Sequence, residues 1–305
     1  MFKLIFILLM IGSPVLSQSY DLKPVEIYSG LWVLYGKQEP MSSKNGAGIA
    51  NTGFIVGKKS VLVIDSGPTY LYAEEMINSI KKITNLPISH LVITHRHPDH
   101  SFGINKFLDE GIKIFMDDLE ANAYSTEGEV LLGFMKKIIG EKWTVNTIIL
   151  KSFEFNTPPS TIDLGDRKIK FYLYRNGHSL GDILVHDINS NILFSGDLVF
   201  NKRAATIPHA SINVWLQQLN LIKEIPWKIL IPGHGPAIHD VKEIDNTYSW
   251  LEYIKNKVKK GVEVGDSPAE LIAEPLPDRF KSLVESDSTW KRSVRVLYKK
   301  YSEMY

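Results

Sequence analysis

The sequence predicts an α/β protein, and three observations favour that class. Short runs rich in β-branched and aromatic residues alternate with longer segments of helical period. Several of the hydrophobic runs end in loops that carry His or Asp. The chain has 305 residues, of which 44% are hydrophobic and 23% charged, so it can bury a large core. Together these features favour alternating strands and helices over a β-sandwich or a helical bundle.

The strands fall into two sets. In the first half of the chain they are predicted at residues 31–35, 53–56, 60–64, 90–94 and 113–115. In the second half they are predicted at residues 168–174, 183–186, 192–195 and 228–231. The segment 156–165 contains paired prolines, so we expect it to connect the two halves.

Helices are predicted between and after these strands. They cover residues 71–83, 102–108, 119–139, 212–225 and 241–260, followed by a polar stretch from Asp278 to the end. We expect one domain over residues 24–305, with a helical extension from about residue 240.

The first 17 residues are typical of a secretory signal peptide. Lys3 precedes an apolar run over residues 4–16, and Val15 and Ser17 are small residues suited to cleavage after Ser17. The run is shorter than the ~20 residues of a spanning helix, which disfavours the alternative of an uncleaved anchor. We therefore expect export to the periplasm or out of the cell, without stable membrane insertion.

Charge and cysteine content exclude several functions. The chain has 35 basic and 34 acidic residues, so no general positive field attracts nucleic acid. It has no cysteine, which excludes disulfides and thiolate metal ligands. Any bound metal must therefore be held by His and carboxylate side chains.

The segment Thr-His-Arg-His-Pro-Asp-His at residues 94–100 is dense in metal-ligand side chains. His95 and His97 alternate along an extended chain and can face one metal, with Arg96 pointing away from it. After Pro98 has turned the chain, Asp99 and His100 can face a second metal. Each zinc needs about four ligands, one of which is water at a catalytic site, so further ligands are expected downstream.

Three later residues are candidates for those ligands. His178, Asp197 and His234 each have a glycine neighbour, as expected where the backbone turns tightly at a site. Asp197 and His234 also follow predicted hydrophobic strands. Strand ends fix loop residues in space, so these side chains are well placed for a metal site.

These motifs, in this order between Asp65 and His234, resemble those of the metallo-β-lactamase superfamily. The resemblance implies a four-layer αβ/βα sandwich with the site at the edge of its paired sheets. It also implies ligand sets for two zinc ions: His95, His97 and His178 for the first, Asp99, His100 and His234 for the second, and Asp197 between them.

The same resemblance implies supporting roles for two carboxylates. Asp65 would orient metal ligands without binding metal itself. Asp182 would either act similarly or cap a turn. Arg203 and His209 follow Asp197 in a loop expected to border the metals, where they would bind a substrate carboxylate or form solvated surface.

A pair of zinc ions would lower the pKa of a shared water to ~7. The predicted function is therefore hydrolysis of an ester, thioester, lactone or amide of a small molecule by a metal-bridging hydroxide. Asp99 is the candidate catalytic residue for moving the proton to the leaving group, and His97 or the metals are the alternatives. Iron or manganese remains open, because N/O ligand sets discriminate weakly among these metals.

Within the superfamily, Asp197 disfavours a true β-lactamase, which is kept as an alternative. A closer resemblance is to exported quinoprotein relay system zinc metallohydrolases and sulfur-oxidation-associated hydrolases, carried by residues 49–57, 97–103 and 203–215. It implies an association with periplasmic quinoprotein oxidation. The alternative from another functional class is a metal-dependent binding or maturation factor for a quinoprotein dehydrogenase, without turnover.

Overall fold

A computed structural model describes residues 18–151 and 155–304, and the predicted signal peptide at residues 1–17 lies outside the described residues. The strands of the first half form a six-stranded sheet in sequence order. Its strands are β1 (Val25–Tyr28), β2 (Leu31–Leu34), β3 (Thr52–Val56), β4 (Val61–Ile64), β5 (Ile88–Val92) and β6 (Lys113–Phe115). Strands β1 to β4 are antiparallel, and β4, β5 and β6 are parallel.

The strands of the second half form a five-stranded sheet in the order β11-β10-β9-β8-β7. They are β7 (Thr161–Asp163), β8 (Lys168–Arg175), β9 (Gly181–Asp187), β10 (Ile192–Phe200) and β11 (Ile229–His234). All neighbours in this sheet are antiparallel except β10 and β11, which are parallel.

Helices follow the strands on the outer faces of both sheets. In the first half they are α1 (Tyr70–Ile83), α2 (Pro98–Ser101), α3 (Ile104–Asp109) and α4 (Asp118–Ile139). In the second half they are α5 (Ile212–Glu224), α6 (Ile244–Val264), α7 (Pro268–Ala273), α8 (Asp278–Lys281) and α9 (Ser286–Ser302).

Alternation along the strands divides the apolar residues among three cores. In β4, Val61 and Val63 pack with α1, α3 and α4, whereas Leu62 and Ile64 face the second sheet. The core between the sheets includes Phe194 of β10, and a third core joins the second sheet to α5, α6 and α9. The predicted four-layer αβ/βα sandwich is therefore confirmed.

Most predicted strands are present, with different ends. The strand predicted over residues 90–94 runs from Ile88 to Val92, because the Thr94 backbone N–H donates to the Asp65 carboxylate instead of to a neighbouring strand. The strand predicted to end at Ser195 continues to Phe200. Strands β1 and β7 were not predicted, and β7 lies inside the segment 156–165 that was expected to be only a connection.

The helices of the C-terminal region begin and end at different residues from those predicted. The helix predicted over residues 241–260 begins at Ile244 and extends to Val264. The stretch predicted to be helical from Asp278 onward forms α8 and α9, separated by Glu285 in the left-handed region at φ 58°. Among the described residues, no helix combines the length and apolarity required to cross a membrane.

Candidate metal centre

The candidate ligands come from strand ends that meet at one edge of the two sheets. His95 follows β5, Asp197 lies within β10, and His234 is the last residue of β11. His178 lies just before β9, whose Ile183 N–H donates to the Thr94 carbonyl across the two sheets. The sandwich therefore brings together residues separated by more than a hundred positions in sequence.

The first group contains His95, His97, His178 and Asp197, whose ligand atoms all lie within 4.8 Å of one another. His97 Nδ1 lies 2.9 Å from His95 Nε2 and 3.0 Å from His178 Nε2. Asp197 Oδ2 lies 3.7 Å from His95 Nε2 and 3.5 Å from His178 Nε2. These spacings are close to the ~3.3 Å edge of a tetrahedron with metal–ligand bonds of ~2.0 Å.

The second group contains Asp99, His100 and His234, whose ligand atoms also lie within 4.8 Å of one another. His234 Nε2 lies 3.3 Å from Asp99 Oδ2, and His100 Nε2 lies 3.9 Å from the same oxygen. Pro98 begins α2, so Asp99 and His100 stand on its single turn. The 94–100 segment therefore contributes His95 and His97 to one group and Asp99 and His100 to the other.

Asp197 lies between the groups with one oxygen toward each. Its Oδ2 faces the first group, whereas its Oδ1 lies 3.1 Å from His100 Nε2 and 3.4 Å from His234 Nε2. Both Asp197 Oδ1 and His100 Nε2 are buried, and neither makes a hydrogen bond of acceptable geometry with any of the described residues. Buried polar atoms are normally satisfied, so these convergent atoms fit a pair of divalent cations.

The protonation states of the first group also suit metal binding. Burial and the neighbouring imidazoles lower the pKa of His95 and His97 well below the ordinary range, and burial lowers the pKa of His178 to about 4. These imidazoles are neutral at neutral pH, and the neutral form is the one that ligates metal.

The carboxylates are ionised despite their burial. Burial raises the pKa of Asp99, but His100 and His234 outweigh it and hold the pKa at about 2. The same two histidines hold the pKa of Asp197 well below its ordinary value against the effect of burial. The same interactions raise the pKa of His100 and His234, so metal binding at the second group would displace their protons, whereas the histidines of the first group are already neutral.

Asp65 supports this centre from beneath it. Its Oδ2 lies 2.7 Å from His100 Nδ1, and its Oδ1 accepts a hydrogen bond from Thr94 N–H at 2.7 Å. The Thr94 hydroxyl lies 3.0 Å from both Asp65 Oδ2 and His95 Nδ1. Asp65 thus contacts one candidate ligand directly and another through Thr94, and belongs to neither ligand group, as the sequence predicted.

A second buried carboxylate, Glu120, was not anticipated from the sequence. It accepts hydrogen bonds from Arg96 N–H and Nη1, at 2.8 and 3.0 Å, and from Leu180 and Gly181 N–H, at 2.7 and 3.2 Å. Arg96 points away from the ligand groups, as predicted, into this contact. Glu120 therefore joins the loop of His95 and His97 to the loop of His178.

Aromatic rings and an asparagine hold the remaining ligands. Trp215 meets the His178 ring edge-on at 4.9 Å, and Phe200 stacks on His234 at 5.2 Å. The Asn51 side chain donates to the carbonyls of Pro232 and Gly235, which fixes the turn at His234. The contact of Trp215 with His178 was not predicted, because an aromatic residue at helical spacing carries no sequence signal for a ligand contact.

Asp182 caps the turn before β9. Its Oδ2 accepts from Ser179 N–H at 3.0 Å and its Oδ1 contacts the Ser179 hydroxyl at 2.9 Å. These contacts match the turn-capping alternative stated for this residue. Burial raises the pKa of Asp182 to about 8.

Arg203 and His209 both line the cavity above the centre, but each is engaged with protein groups. The Arg203 guanidinium pairs with Glu285 and donates to the Glu39 carbonyl at 3.1 Å. His209 Nδ1 lies 2.9 Å from His97 Nε2. These contacts connect Arg203 to the start of α9, and they place His209 behind a candidate ligand.

The cavity has a volume of about 630 Å³. Its floor contains His97, Asp99, Asp197 and His234, while residues of α4 and α9 and of the loop before α5 form its walls. This volume is in the range of sites for small organic ligands. The two ligand groups are therefore accessible to a small-molecule substrate.

Comparison with protein families identifies one match. A model described as the metallo-β-lactamase superfamily matches residues 45–234, which contain every candidate metal ligand. A solved structure of a metallo-β-lactamase from Pontibacter korlensis is 20% identical, with a TM-score of 0.60, and the match covers 76% of this chain and 99% of that one. That likeness concerns the fold.

Relatives of described activity differ in what they act on. A linear primary-alkylsulfatase of Pseudomonas sp. is 20% identical over 81% of this chain and 54% of its own length, so this chain spans about half of that relative. The metallo-β-lactamase IND-1 of Chryseobacterium indologenes is 26% identical over 61% of this chain and 71% of its own. An acyl-coenzyme A thioesterase of Bos taurus is 26% identical over 61% of this chain and 72% of its own.

Proposed function

Because the chain belongs to the metallo-β-lactamase superfamily, we propose that it is a two-metal hydrolase that cleaves an acyl bond of a small molecule. In such a reaction water adds to a carbonyl carbon, the bond to oxygen, sulfur or nitrogen breaks, and the leaving group departs with a proton. The candidate bonds are ester, thioester, lactone and amide.

One observation carries this proposal: the position of Asp197. Its two carboxylate oxygens face the two ligand groups separately, Oδ2 toward His178 and Oδ1 toward His100. With Asp197 counted in both, each group has four protein ligands, but His97, Asp99, Asp197 and His234 also line an open cavity, where zinc can accept water or substrate as a fifth ligand. A shared carboxylate at the floor of a cavity is the arrangement expected for two adjacent cations that meet a substrate.

Bound cations would lower the pKa of a water molecule and would supply a positive charge that polarises the carbonyl. The side chains of the two ligand groups would hold these cations in place. Asp99 lines the cavity and is ionised, so its carboxylate can accept a proton from water and return it to the leaving group. Asp65 would keep the His100 ring fixed while this happens.

Zinc is the metal that we propose for both groups. Tetrahedral sets of His nitrogen and carboxylate oxygen suit zinc, and the chain offers no thiolate. The named relatives include a thioesterase, a β-lactamase and an alkylsulfatase. The substrates to be assayed should therefore contain several types of scissile bond.

The cellular setting is also a proposal. The apolar segment at residues 4–16 supports export of the chain. Residues 49–57, 97–103 and 203–215 support a role beside periplasmic quinoprotein oxidation. The N-terminal residue of the protein isolated from the periplasm of its host would test cleavage after Ser17.

The central experiment combines metal analysis with a substrate panel. Purified protein would be assayed for zinc and for turnover of acyl esters, thioesters, lactones, amides, phosphodiesters and β-lactams, with and without a chelator. We expect two zinc ions per chain and chelator-sensitive turnover of an acyl substrate. His178→Ala and Asp197→Ala should each reduce turnover by more than about 100-fold. His239→Ala, at an exposed histidine outside both groups, is the matched control.

Two outcomes would overturn the proposal. Turnover that persists with chelator and in both ligand variants would place the reaction elsewhere. Two bound metals without turnover of any substrate would favour a binding or maturation factor over an enzyme.

A further inference from the structure

The cavity above the candidate metal centre has one wall that lies outside the matched family region. The family model ends at residue 234, whereas α9 begins at Ser286. Thr289, Arg292, Ser293, Arg295 and Val296 of α9 all line the cavity. Substrate selection by this wall is therefore a property of this chain that the family match does not supply.

This wall is strongly basic. Helix α9 carries five basic residues and one acidic residue, and two of the basic residues, Arg292 and Arg295, line the cavity. Arg292 Nη2 lies 3.7 Å from Glu285 Oε1, so it is partly neutralised. Arg295 is exposed, and its guanidinium makes no hydrogen bond or ion pair with the described residues. An unneutralised guanidinium at the rim suits a carboxylate or phosphate.

A second polar group lies deeper in the same wall. Ser293 is 0% exposed, and its hydroxyl has no hydrogen-bond partner among the described residues. Because this hydroxyl has no accessible surface, it adds a polar group behind the wall and no direct contact for a ligand. The contact that α9 offers to a bound molecule is therefore the charge of Arg295 at the rim.

A second wall of the cavity, formed by α4, is apolar. Leu131 and Ile138 of α4 line the cavity, and Ile138 is 51% exposed. Phe134, which is 58% exposed, lies between them on the same helical face, because residues three and four apart share a face. A continuous apolar strip that begins at the cavity and extends to solvent suits a hydrocarbon chain.

We propose that the substrate is an anionic acyl ester or thioester, whose acyl chain lies along Leu131 and Ile138 of α4 and whose leaving group carries a carboxylate or phosphate that pairs with Arg295 of α9. The scissile carbonyl would then lie above Asp99 and Asp197, which form the floor between the two walls. This inference rests on the proposed hydrolase function and names its substrate class.

The experiment uses matched thioesters and the zinc-loaded full chain. Acyl chains of two to twelve carbons are joined either to 3-mercaptopropionate, which is anionic, or to 2-mercaptoethanol, which is neutral. We expect kcat/KM to rise by roughly two- to fourfold per added methylene. At equal chain length, the anionic series should be preferred by roughly fivefold.

Two pairs of variants separate the two walls. Arg295→Gln should abolish the preference for the anionic series and leave the neutral series unchanged, whereas Lys291→Gln, on the same helix but outside the cavity wall, should change neither. Ile138→Ser should flatten the dependence on chain length, whereas Val130→Ser, 63% exposed on α4 and outside the cavity wall, should not.

A binding measurement keeps this inference separate from the proposed function. The thioether analogue of the twelve-carbon anionic substrate cannot be hydrolysed, and its affinity is measured by calorimetry. Tight binding that Arg295→Gln and Ile138→Ser weaken, without turnover of any thioester, would support this inference and contradict the hydrolase. Turnover with no dependence on chain length or charge would support the hydrolase and overturn this inference.

Discussion

Glu120 binds Arg96 twice: its Oε2 accepts from the Arg96 backbone N–H at 2.8 Å, and its Oε1 accepts from Nη1 at 3.0 Å. The Glu120 side chain is fully buried, and Arg96 is 2% exposed. Because Oε1 also accepts from the backbone before β9, the pair fixes the relative position of two ligand-bearing loops. The ligand groups therefore depend on a carboxylate that binds no metal.

Replacement of this carboxylate should weaken both the fold and the centre. In Glu120→Gln, the amide keeps one acceptor and loses the charge, so Arg96 remains buried with only the half-exposed Glu127 as an anionic partner. We expect a loss of about 3 kcal/mol in the free energy of unfolding and about tenfold weaker zinc binding. Urea denaturation and chelator competition measure the two effects.

The control for this variant is Glu127→Gln. Glu127 binds the same guanidinium, but its side chain is 47% exposed, so its loss should cost less than about 1 kcal/mol. Equal destabilisation by the two variants would contradict the assigned role of Glu120.

Loss of the Asp65 charge should affect the two metal groups unequally. Asp65 has φ 60°, a left-handed conformation that Asn also adopts, so Asp65→Asn keeps the backbone and removes the charge. Asp65 contacts His100 of the second group directly and His95 of the first only through Thr94. We expect a 10- to 100-fold loss of affinity at the second group and a smaller loss at the first.

A stepwise zinc titration against a chromophoric chelator resolves the two affinities. Asp166→Asn is the control, because Asp166 is exposed, also has positive φ, is paired with the exposed Lys58 and belongs to neither ligand group. A larger loss at the first group than at the second would show that Asp65 does not act through His100.

The pH dependence of stability should reveal the raised pKa of Asp182. Burial raises this pKa from 3.8 to about 8, so between these values the folded chain holds a proton that the unfolded chain has lost. Its contribution is present in full below pH 3.8 and is lost as pH rises through 8. In Asp182→Asn the amide oxygen can still accept from Ser179 N–H, and the Ser179 hydroxyl, which donates to Asp182 Oδ1, can rotate to accept from the amide NH2.

We therefore expect Asp182→Asn to gain stability relative to the parent chain as pH rises from about 4 to 8, by as much as about 1 kcal/mol per pH unit. Unfolding free energies of the metal-free proteins at several pH values measure the difference. If the two curves run parallel across this range, Asp182 is ionised in the folded chain.

The contrast between predicted and unpredicted residues has a physical basis. The ligands were predictable because four metal-binding side chains within residues 95–100 are far denser than packing requires, and no cysteine competes with them. The role of Glu120 was not predictable, because acidic residues are common in the first turn of a helix, and only the tertiary structure buries this one. Strand β1 is mostly exposed, so its sequence lacks the alternation that identifies a strand.

The role of α9 was beyond sequence analysis for a related reason. Its basic residues indicate a solvated helical face, and only the packing of α9 on α6 brings Arg292 and Arg295 to the cavity. Arg203 shows the reverse case. Its position after Asp197 left both substrate binding and solvated surface open, but the fold buries it and pairs it with Glu285 at the start of α9.

A close approach between the Gly233 backbone and Asp197 gives the last prediction. A Cβ atom at Gly233 would lie 1.9 Å from Asp197 Oδ1, so Gly233→Ala must displace the carboxylate that lies between the two ligand groups. Because Asp197 faces both groups, we expect the variant to lose zinc from both rather than from one. Metal analysis after dialysis at limiting zinc measures the stoichiometry, and near-ultraviolet circular dichroism checks the fold.

Gly133→Ala is the control, since a Cβ there meets no atom within 4 Å. It should raise helix stability by up to about 1 kcal/mol and leave the number of bound zinc ions unchanged. Retention of both zinc ions by Gly233→Ala would mean that Asp197 is not shared between the groups.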